Sequence, residues 1–191
     1  MLSGRRLDLI DPSPMDIEIE DIAHGLARVA RWNGQTLGDH PFSVAQHCIV
    51  VERILARRDP GLAPAWRLAA LLHDAAEYVI GDMISPFKAA LGYDYKSFED
   101  RLQSAIHIRF GLPARAPKEI YELIKAADRS SAFLEATQLA GFEMAEARAF
   151  FGPSPRAPIP RLSPWPAVRA EAQYLERHRL LSQAIGASSP R

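Results

Sequence analysis

The chain has 191 residues, 48% of them hydrophobic and 24% charged, and its 23 Lys plus Arg balance 23 Asp plus Glu. That is the size and composition of one folded soluble domain, and it excludes an intrinsically disordered chain. Zero formal charge argues against a nucleic-acid polymer or an anionic membrane as partner, because either needs a broad basic surface; a local basic pocket stays open.

The single cysteine, Cys48, excludes a disulfide framework and any cysteine-based zinc site. It reads as a small buried hydrophobe. No apolar run approaches the roughly 18 residues of a membrane span. Met1 to Ile10 has no apolar stretch of the signal-peptide kind. The expected location is the cytoplasm.

In chain order, residues 7–19 alternate apolar residues around Asp11-Pro12-Ser13-Pro14, which predicts two short extended pieces and a turn, a small N-terminal β-hairpin. From Asp21, Ile22, Leu26, Val29 and Ala30 recur at helical spacing up to Gly34. Residues 34–42 read as a loop. Ser43 and Gln46 form a capping box for a second helix with Val44, Cys48, Val51 and Leu55 on one stripe, stopped by Asp59-Pro60-Gly61. Pro64 opens a third helix, expected to run unbroken to about Val79. It is apolar nearly all round and is therefore the buried central helix.

A helix from about Tyr95 to Phe110 ends at Gly111-Leu112-Pro113, with His107 expected to face water. Pro117 begins a long helix carrying Ile120, Ile124, Ala127, Ser131 and Leu134 on one face. Residues 152–166 hold six prolines and one glycine and form an irregular connector. A last amphipathic helix, about Ala167 to Ile185, stops at Gly186. The fold class is all-α: a helical core over 1–150, then a connector and helix over 151–191 that pack on the core or on a neighbouring subunit.

The central helix contains an anomaly. His73, Asp74 and Glu77 stand among Leu71, Leu72, Ala75 and Ala76. Ionisable groups in so apolar a segment cost several kcal/mol unless they are paired or bind a metal. On a helix His73 and Glu77 share a face, and Asp74 is near enough to address the same ion as His73. His47 taken alone is a packed core histidine, and Asp128 taken alone is a partner for Lys125 or Arg129.

Taken together, His47, His73-Asp74 and Asp128 resemble the H…HD…D signature of the HD-domain metal-dependent phosphohydrolases. The surrounding words match as well. Ser43-Val44-Ala45-Gln46-His47 resembles S-V-A-x-H, and Leu71 to Glu77 resembles L-x-H-D-A-x-E. Gly81 to Lys88 resembles G-D-x-x-x-P-x-K, Lys125 to Asp128 resembles K-x-A-D, and Arg31-Trp32 also matches. The words lie within residues 16–140. The similarity is greatest to the small bacterial subgroup of YfbR-type 5'-deoxynucleotidases and YfdR-type relatives, and the stretch from Asp21 to Gly34 looks more like the YfdR type.

The resemblance implies an HD-domain helical bundle. It makes His47, His73, Asp74 and Asp128 ligands of one divalent ion, for which Mn, Co, Ni, Fe, Zn and Mg all suit N/O donors. It gives Glu77 the task of orienting or deprotonating a water. Arg31 and Lys88 are candidates to hold the phosphate, Trp32 to cover base or sugar, and Asp82 to meet a sugar hydroxyl. His24 and His40 flank the first motif, but no second compact histidine pair accompanies them, which favours a single ion.

The implied reaction releases phosphate from a (deoxy)nucleoside 5'-monophosphate. A deoxynucleoside triphosphate triphosphohydrolase is the alternative, disfavoured because the matched words hold few cations. A non-catalytic HD-domain ligand-binding module would have lost a ligand or Glu77, and none is lost. A helical adaptor would make five matched words coincidental. Relatives of this kind are commonly oligomeric, so a homodimer is expected.

Overall fold

The computed structural model describes residues 1–83, 93–153 and 161–188. The described elements are helical: α1 (Ile19–Leu26), α2 (Val44–Arg58), α3 (Pro64–Leu71), α4 (Glu77–Ile80), α5 (Tyr93–Arg109), α6 (Lys118–Gln138), α7 (Met144–Phe151) and α8 (Ala167–Ser188). The architecture is the expected all-α bundle, and no described helix is long and apolar enough to cross a membrane.

The expected N-terminal hairpin is absent. Residues 7–19 hold a short 3-10 turn, Pro14–Asp16, capped by the Ser13 side chain, and no strand. Ser13 and Pro14 form a helix-initiating pair, and that local chemistry outweighs the weak alternation around it.

α1 also ends sooner than its periodicity implies, at Leu26. Ala30 turns extended because the backbone groups on either side of it find partners across the chain. Val44 N–H donates to Val29 O (3.0 Å) and Arg31 N–H to Phe42 O (2.8 Å), which brackets a bridge between Ala30 and Ser43. Arg31 is thereby tied to the start of α2.

α2 is the core helix. Eleven of its residues are buried, including the predicted stripe of Val44, Cys48, Val51 and Leu55, each fully so. Ser43 caps it by accepting Gln46 N–H (3.3 Å), but the expected box is only half formed. The Gln46 side chain instead pins the Pro-rich connector, donating to Ser163 O (2.8 Å) and accepting from Trp165 N–H (3.0 Å). A buried amide satisfies more groups there than at the cap.

The C-terminal helix packs on its own chain, against α1, α2 and α3, and runs through Gly186 to Ser188 instead of stopping there. Glu52, fully buried on α2, accepts from Arg67 of α3 (2.8 Å) and from both Nε (2.8 Å) and Nη2 (2.7 Å) of Arg177 on α8. His24 of α1 and Arg28 just beyond its end both reach Glu171 of α8, at 3.2 and 2.7 Å. His24 thus fastens the last helix, and His40 lies exposed in the loop before α2.

The central helix is broken, contrary to expectation. α3 stops at Leu71, residues 72–76 form tight turns, and α4 resumes at Glu77. The N–H groups of Ala75, Glu77, Tyr78 and Val79 bond three residues back instead of four, with Glu77 N–H on Asp74 O (3.0 Å), and Ala76 N–H donates to Gln103 Oε1 (3.3 Å). Three carbonyls at the end of α3 take side-chain donors. Ala70 O faces His73 Nδ1 (2.8 Å), Leu71 O accepts the buried Tyr174 hydroxyl (3.0 Å), and Leu72 O accepts the Gln103 amide (2.7 Å). Because these orphan groups are satisfied, the helix can end inside the core.

Candidate metal centre

The break decides where His73 and Asp74 point. His73 Nδ1 lies 2.8 Å from Ala70 O, and since a carbonyl can only accept, Nδ1 carries the proton and Nε2 is left with its lone pair. α2 presents His47 from the opposite side. Its Nδ1 lies 2.6 Å from Glu135 Oε1, and both side chains are fully buried. A carboxylate also only accepts, so this Nδ1 carries a proton too.

The two Nε2 atoms stand 3.3 Å apart. Asp74 Oδ2 lies 3.4 Å from His47 Nε2 and 3.1 Å from His73 Nε2, and Asp128 Oδ1 from α6 lies 3.3 and 4.0 Å from the same two atoms. Ligand atoms about 2.1 Å from a shared ion stand roughly 3.0 to 3.4 Å apart at right-angle or tetrahedral geometry. His47, His73 and Asp128 therefore form a group that could hold a metal ion. Asp74 stands within the same range of both imidazoles. Two lone pairs and two carboxylate oxygens facing one another repel unless a cation or a proton lies among them.

The electrostatics agree. Burial and the nearby Arg31 press His47 toward its neutral form, but Glu135, Asp128 and Asp74 outweigh them and hold its pKa well above the usual histidine range. Burial opposes ionisation of Asp74 and Asp128, yet the two histidines hold both carboxyls well below their ordinary values. The pocket attracts positive charge, and a proton on His47 and a metal cation compete for the same acceptors.

Glu135 is the residue that sequence reading missed. It is fully buried and takes hydrogen bonds from His47, Ser131 Oγ (2.7 Å), Trp32 Nε1 (3.0 Å) and Arg31 (Nη2 at 3.2 Å). Burial would raise its pKa, but His47, Arg31 and Ser131 hold it far below the ordinary glutamate value. The available signal was spacing: Asp128, Ser131 and Glu135 lie three and seven residues apart along one helical face.

The other expected site residues are placed as follows. Arg31, at 15% side-chain exposure, pairs with Glu135 and with Asp82 (3.4 Å), so Asp82 faces a guanidinium. The charge of Arg31 survives burial because of these two carboxylates, which raise its pKa. Trp32 stands edge-on to Phe142 and Phe151, with ring centres 5.5 and 5.9 Å away. Its backbone is left-handed (φ 57°, ψ 29°), an unusual state for a bulky residue, held here by the indole bond to Glu135 and the ring contacts.

Glu77 is buried at the first position of α4, three residues beyond Asp74. Lys88 lies outside the described residues. Lys125 Nζ stands 3.2 Å from Asp128 Oδ2, and despite burial Asp128 and Asp74 keep it charged. His107 does not face water: it is 8% exposed, and its Nδ1 approaches Pro113 O (3.2 Å) as the chain turns at Gly111. The turn after α5 folds back over that helix face. Burial also pushes the Cys48 thiol pKa well up, which leaves it an inert core residue.

No family model matches the chain. It is 60% identical over 189 residues to an uncharacterized protein of Rhodobacter capsulatus, RCAP_rcc00048, a match covering 97% of this chain and 95% of that protein. It is also 34% identical over 98 residues to the uncharacterized Escherichia coli protein YfdR, covering 51% of this chain and 49% of that one.

Proposed function

Because the chain belongs to the family of Rhodobacter capsulatus RCAP_rcc00048, whose name assigns no activity, we propose its function from the site: a divalent-metal-dependent phosphohydrolase of the HD-domain kind, acting on phosphate esters of the nucleotide class. One observation carries this reading. Two histidines whose Nδ1 atoms are committed elsewhere turn their Nε2 atoms, 3.3 Å apart, toward Asp74 and Asp128. A carboxylate or carbonyl behind each ligating imidazole is the usual arrangement of a metal-binding histidine. The matched sequence words support the same reading.

When bound, a divalent ion supplies Lewis-acid polarisation of a phosphoryl oxygen and of water. His47, His73, Asp74 and Asp128 would hold it. Glu77 would take the proton of the attacking water. The water oxygen forms a bond to phosphorus, the ester P–O bond breaks, and the departing alkoxide ends as an alcohol, with inorganic phosphate as the other product. Lys125, beside Asp128, sets positive charge where negative charge develops on the phosphoryl oxygens. Arg31 and Trp32 act one step back, through Glu135, by orienting His47.

The test is release of phosphate, or of polyphosphate, from nucleoside mono-, di- and triphosphates by metal-stripped protein re-supplied with single divalent ions. Asp74→Ala runs as control. Metal-dependent release that vanishes in the variant is expected. No release from any substrate by protein carrying stoichiometric metal would overturn the enzymatic reading and leave a ligand-binding module.

A further inference from the structure

Between α5 and the start of α6 runs a trough of about 460 Å³. Its inner end is formed by His73 of the metal centre and Lys125, the partner of Asp128. Further out it is lined by Lys96 from α5, Arg115 from the connecting turn and Lys118 from the first turn of α6. Asp100 is the one carboxylate among its lining residues. Besides Lys125, whose charge faces Asp128, three cations thus meet one acid, in a chain whose basic and acidic residues balance overall.

The outer cations differ from Arg31, which spends its charge on Glu135 and Asp82. None of Lys96, Arg115 and Lys118 is held by a carboxylate among the described residues. The N-terminus of the 21-residue α6 adds its own positive end beside Lys118. In the wall of the trough, His107 is 8% exposed, with an Nε2 that has no hydrogen-bond partner. Like charges gathered in a concave, partly apolar space favour an anion there. The volume exceeds what one phosphoryl group fills and falls within the usual size of ligand pockets, roughly 300 to 1,000 Å³.

We propose that this trough is a second anionic subsite, which receives a phosphoryl group of the substrate beyond the one at the metal centre. The catalytic half of the statement rests on the phosphohydrolase reading above. The preferred substrates then carry at least two phosphoryl groups, either consecutive in a polyphosphate chain or as separate esters on one sugar. The residues involved, Lys96, Arg115 and Lys118, lie outside every matched sequence word, so the scarcity of cations in those words does not argue for a monophosphate.

The first measurement is calorimetric binding of inorganic tripolyphosphate and of inorganic phosphate to the full-length, metal-free chain. Tripolyphosphate is expected to bind about tenfold or more tighter than phosphate, and the Arg115→Glu/Lys118→Glu double variant to lose about tenfold or more of that affinity. Both side chains are exposed, and thermal melts establish that the variant is folded. Arg53→Glu, exposed on α2 and no part of the trough, is expected to bind tripolyphosphate as the parent does. Equal binding of the two anions, or a double variant that binds like the parent, overturns the subsite.

The second measurement compares kcat/KM for a nucleoside 5'-monophosphate, 5'-triphosphate and 3',5'-bisphosphate. Preference for the triphosphate identifies a chain of phosphates, and preference for the bisphosphate identifies a second ester; either must fall in the double variant. Preference for the monophosphate, untouched by the charge reversals, overturns the proposal. If nothing is hydrolysed while tripolyphosphate binding depends on Arg115 and Lys118, the phosphohydrolase reading falls and the anion site stands. If nucleotides are hydrolysed but tripolyphosphate does not bind in the trough, the phosphohydrolase stands and the anion site falls.

Discussion

Glu135 Oε1 stands 2.6 Å from His47 Nδ1, and neither side chain has any exposure to solvent. The carboxylate belongs to α6, seven residues beyond Asp128, so one helix contributes both the oxygen 3.3 Å from His47 Nε2 and the carboxylate bonded to His47 Nδ1. Arg31, Trp32 and Ser131 converge on the same carboxylate. The consequence is a preorganised imidazole whose Nε2 faces the centre of the site.

Replacing Glu135 by Gln keeps the shape and removes the charge. Orienting partners of this kind are typically worth 10- to 100-fold in metal affinity. Glu135→Gln is expected to weaken divalent-ion binding by about that factor, read by competition with a chelating dye, while the folded helical signal persists. Unchanged affinity would mean that the ion is not held through His47.

Metal binding should release protons. Without an ion, the pKa of His47 is held well above 6.5, by Glu135 and the two aspartates against burial and Arg31. A metal must displace that proton, so its affinity rises with pH until His47 is neutral without help. Titration calorimetry at pH 7 in buffers of different ionisation enthalpy should show release of about one proton per ion bound.

The linkage to stability has opposite signs for the two kinds of group. The His47 contribution is full below its unfolded value of 6.5 and is lost as pH rises through the raised folded value. Asp74, Asp128 and Glu135 are depressed in the fold. Their contributions are present above their ordinary values of 3.8 and 4.5 and are lost as pH falls toward the folded values. Metal-free protein is therefore expected to lose stability progressively below about pH 4.5; a denaturant midpoint flat from pH 6 to about pH 3 would contradict this.

Gly25 lets α1 touch α4. A Cβ at position 25 would lie 2.9 Å from both Cβ and the carbonyl oxygen of Tyr78, the residue after Glu77. Backbone cannot yield as a flexible side-chain tip does, so Gly25→Ala is expected to cost about 1–3 kcal/mol. Because the strain falls on α4, activity per folded molecule should fall together with stability. Urea denaturation and specific activity measured on the same preparation check both.

Glu52 is the counterexample, a buried acid with no part in the site. Held by Arg67 and Arg177, it joins α2, α3 and α8. Glu52→Ala leaves two arginines facing a cavity, and breaking such a buried pair costs on the order of 3 kcal/mol. Metal affinity of the folded fraction should stay as it was. A variant that loses metal in proportion to stability would make Glu52 part of the site's support.

Much of the bundle was legible in the sequence because its helices satisfy local rules. Ser43 as a cap, Pro64 and Pro117 at helix starts, Gly111 as a terminator and the stripe of Val44, Cys48, Val51 and Leu55 all act within one or two helical turns. The four residues His47, His73, Asp74 and Asp128 could be singled out for a related reason. Ionisable groups in apolar segments stand out against their neighbours, and their spacing matched known words.

What local rules could not supply were partners distant in the chain. Val29 and Ala30 continue the helical period of α1, yet Val44 and Phe42 draw their backbone into a bridge. Leu71 to Ala76 read as unbroken helix, yet His73, Tyr174 and Gln103 cap the carbonyls that a break exposes. Gln46 reads as a capping residue, yet Ser163 and Trp165 claim its amide.

The sequence by itself determined the fold class, the helix starts and the residue types able to bind an ion, because propensity, capping and burial of an apolar stripe are properties of neighbouring residues. Only the tertiary structure decided that the central helix breaks at His73, that Glu135 stands behind His47, and that Lys96, Arg115 and Lys118 share one trough. Each of these depends on hydrogen bonds or charges between groups far apart in the chain. Their free energy exists only once the core has brought them together.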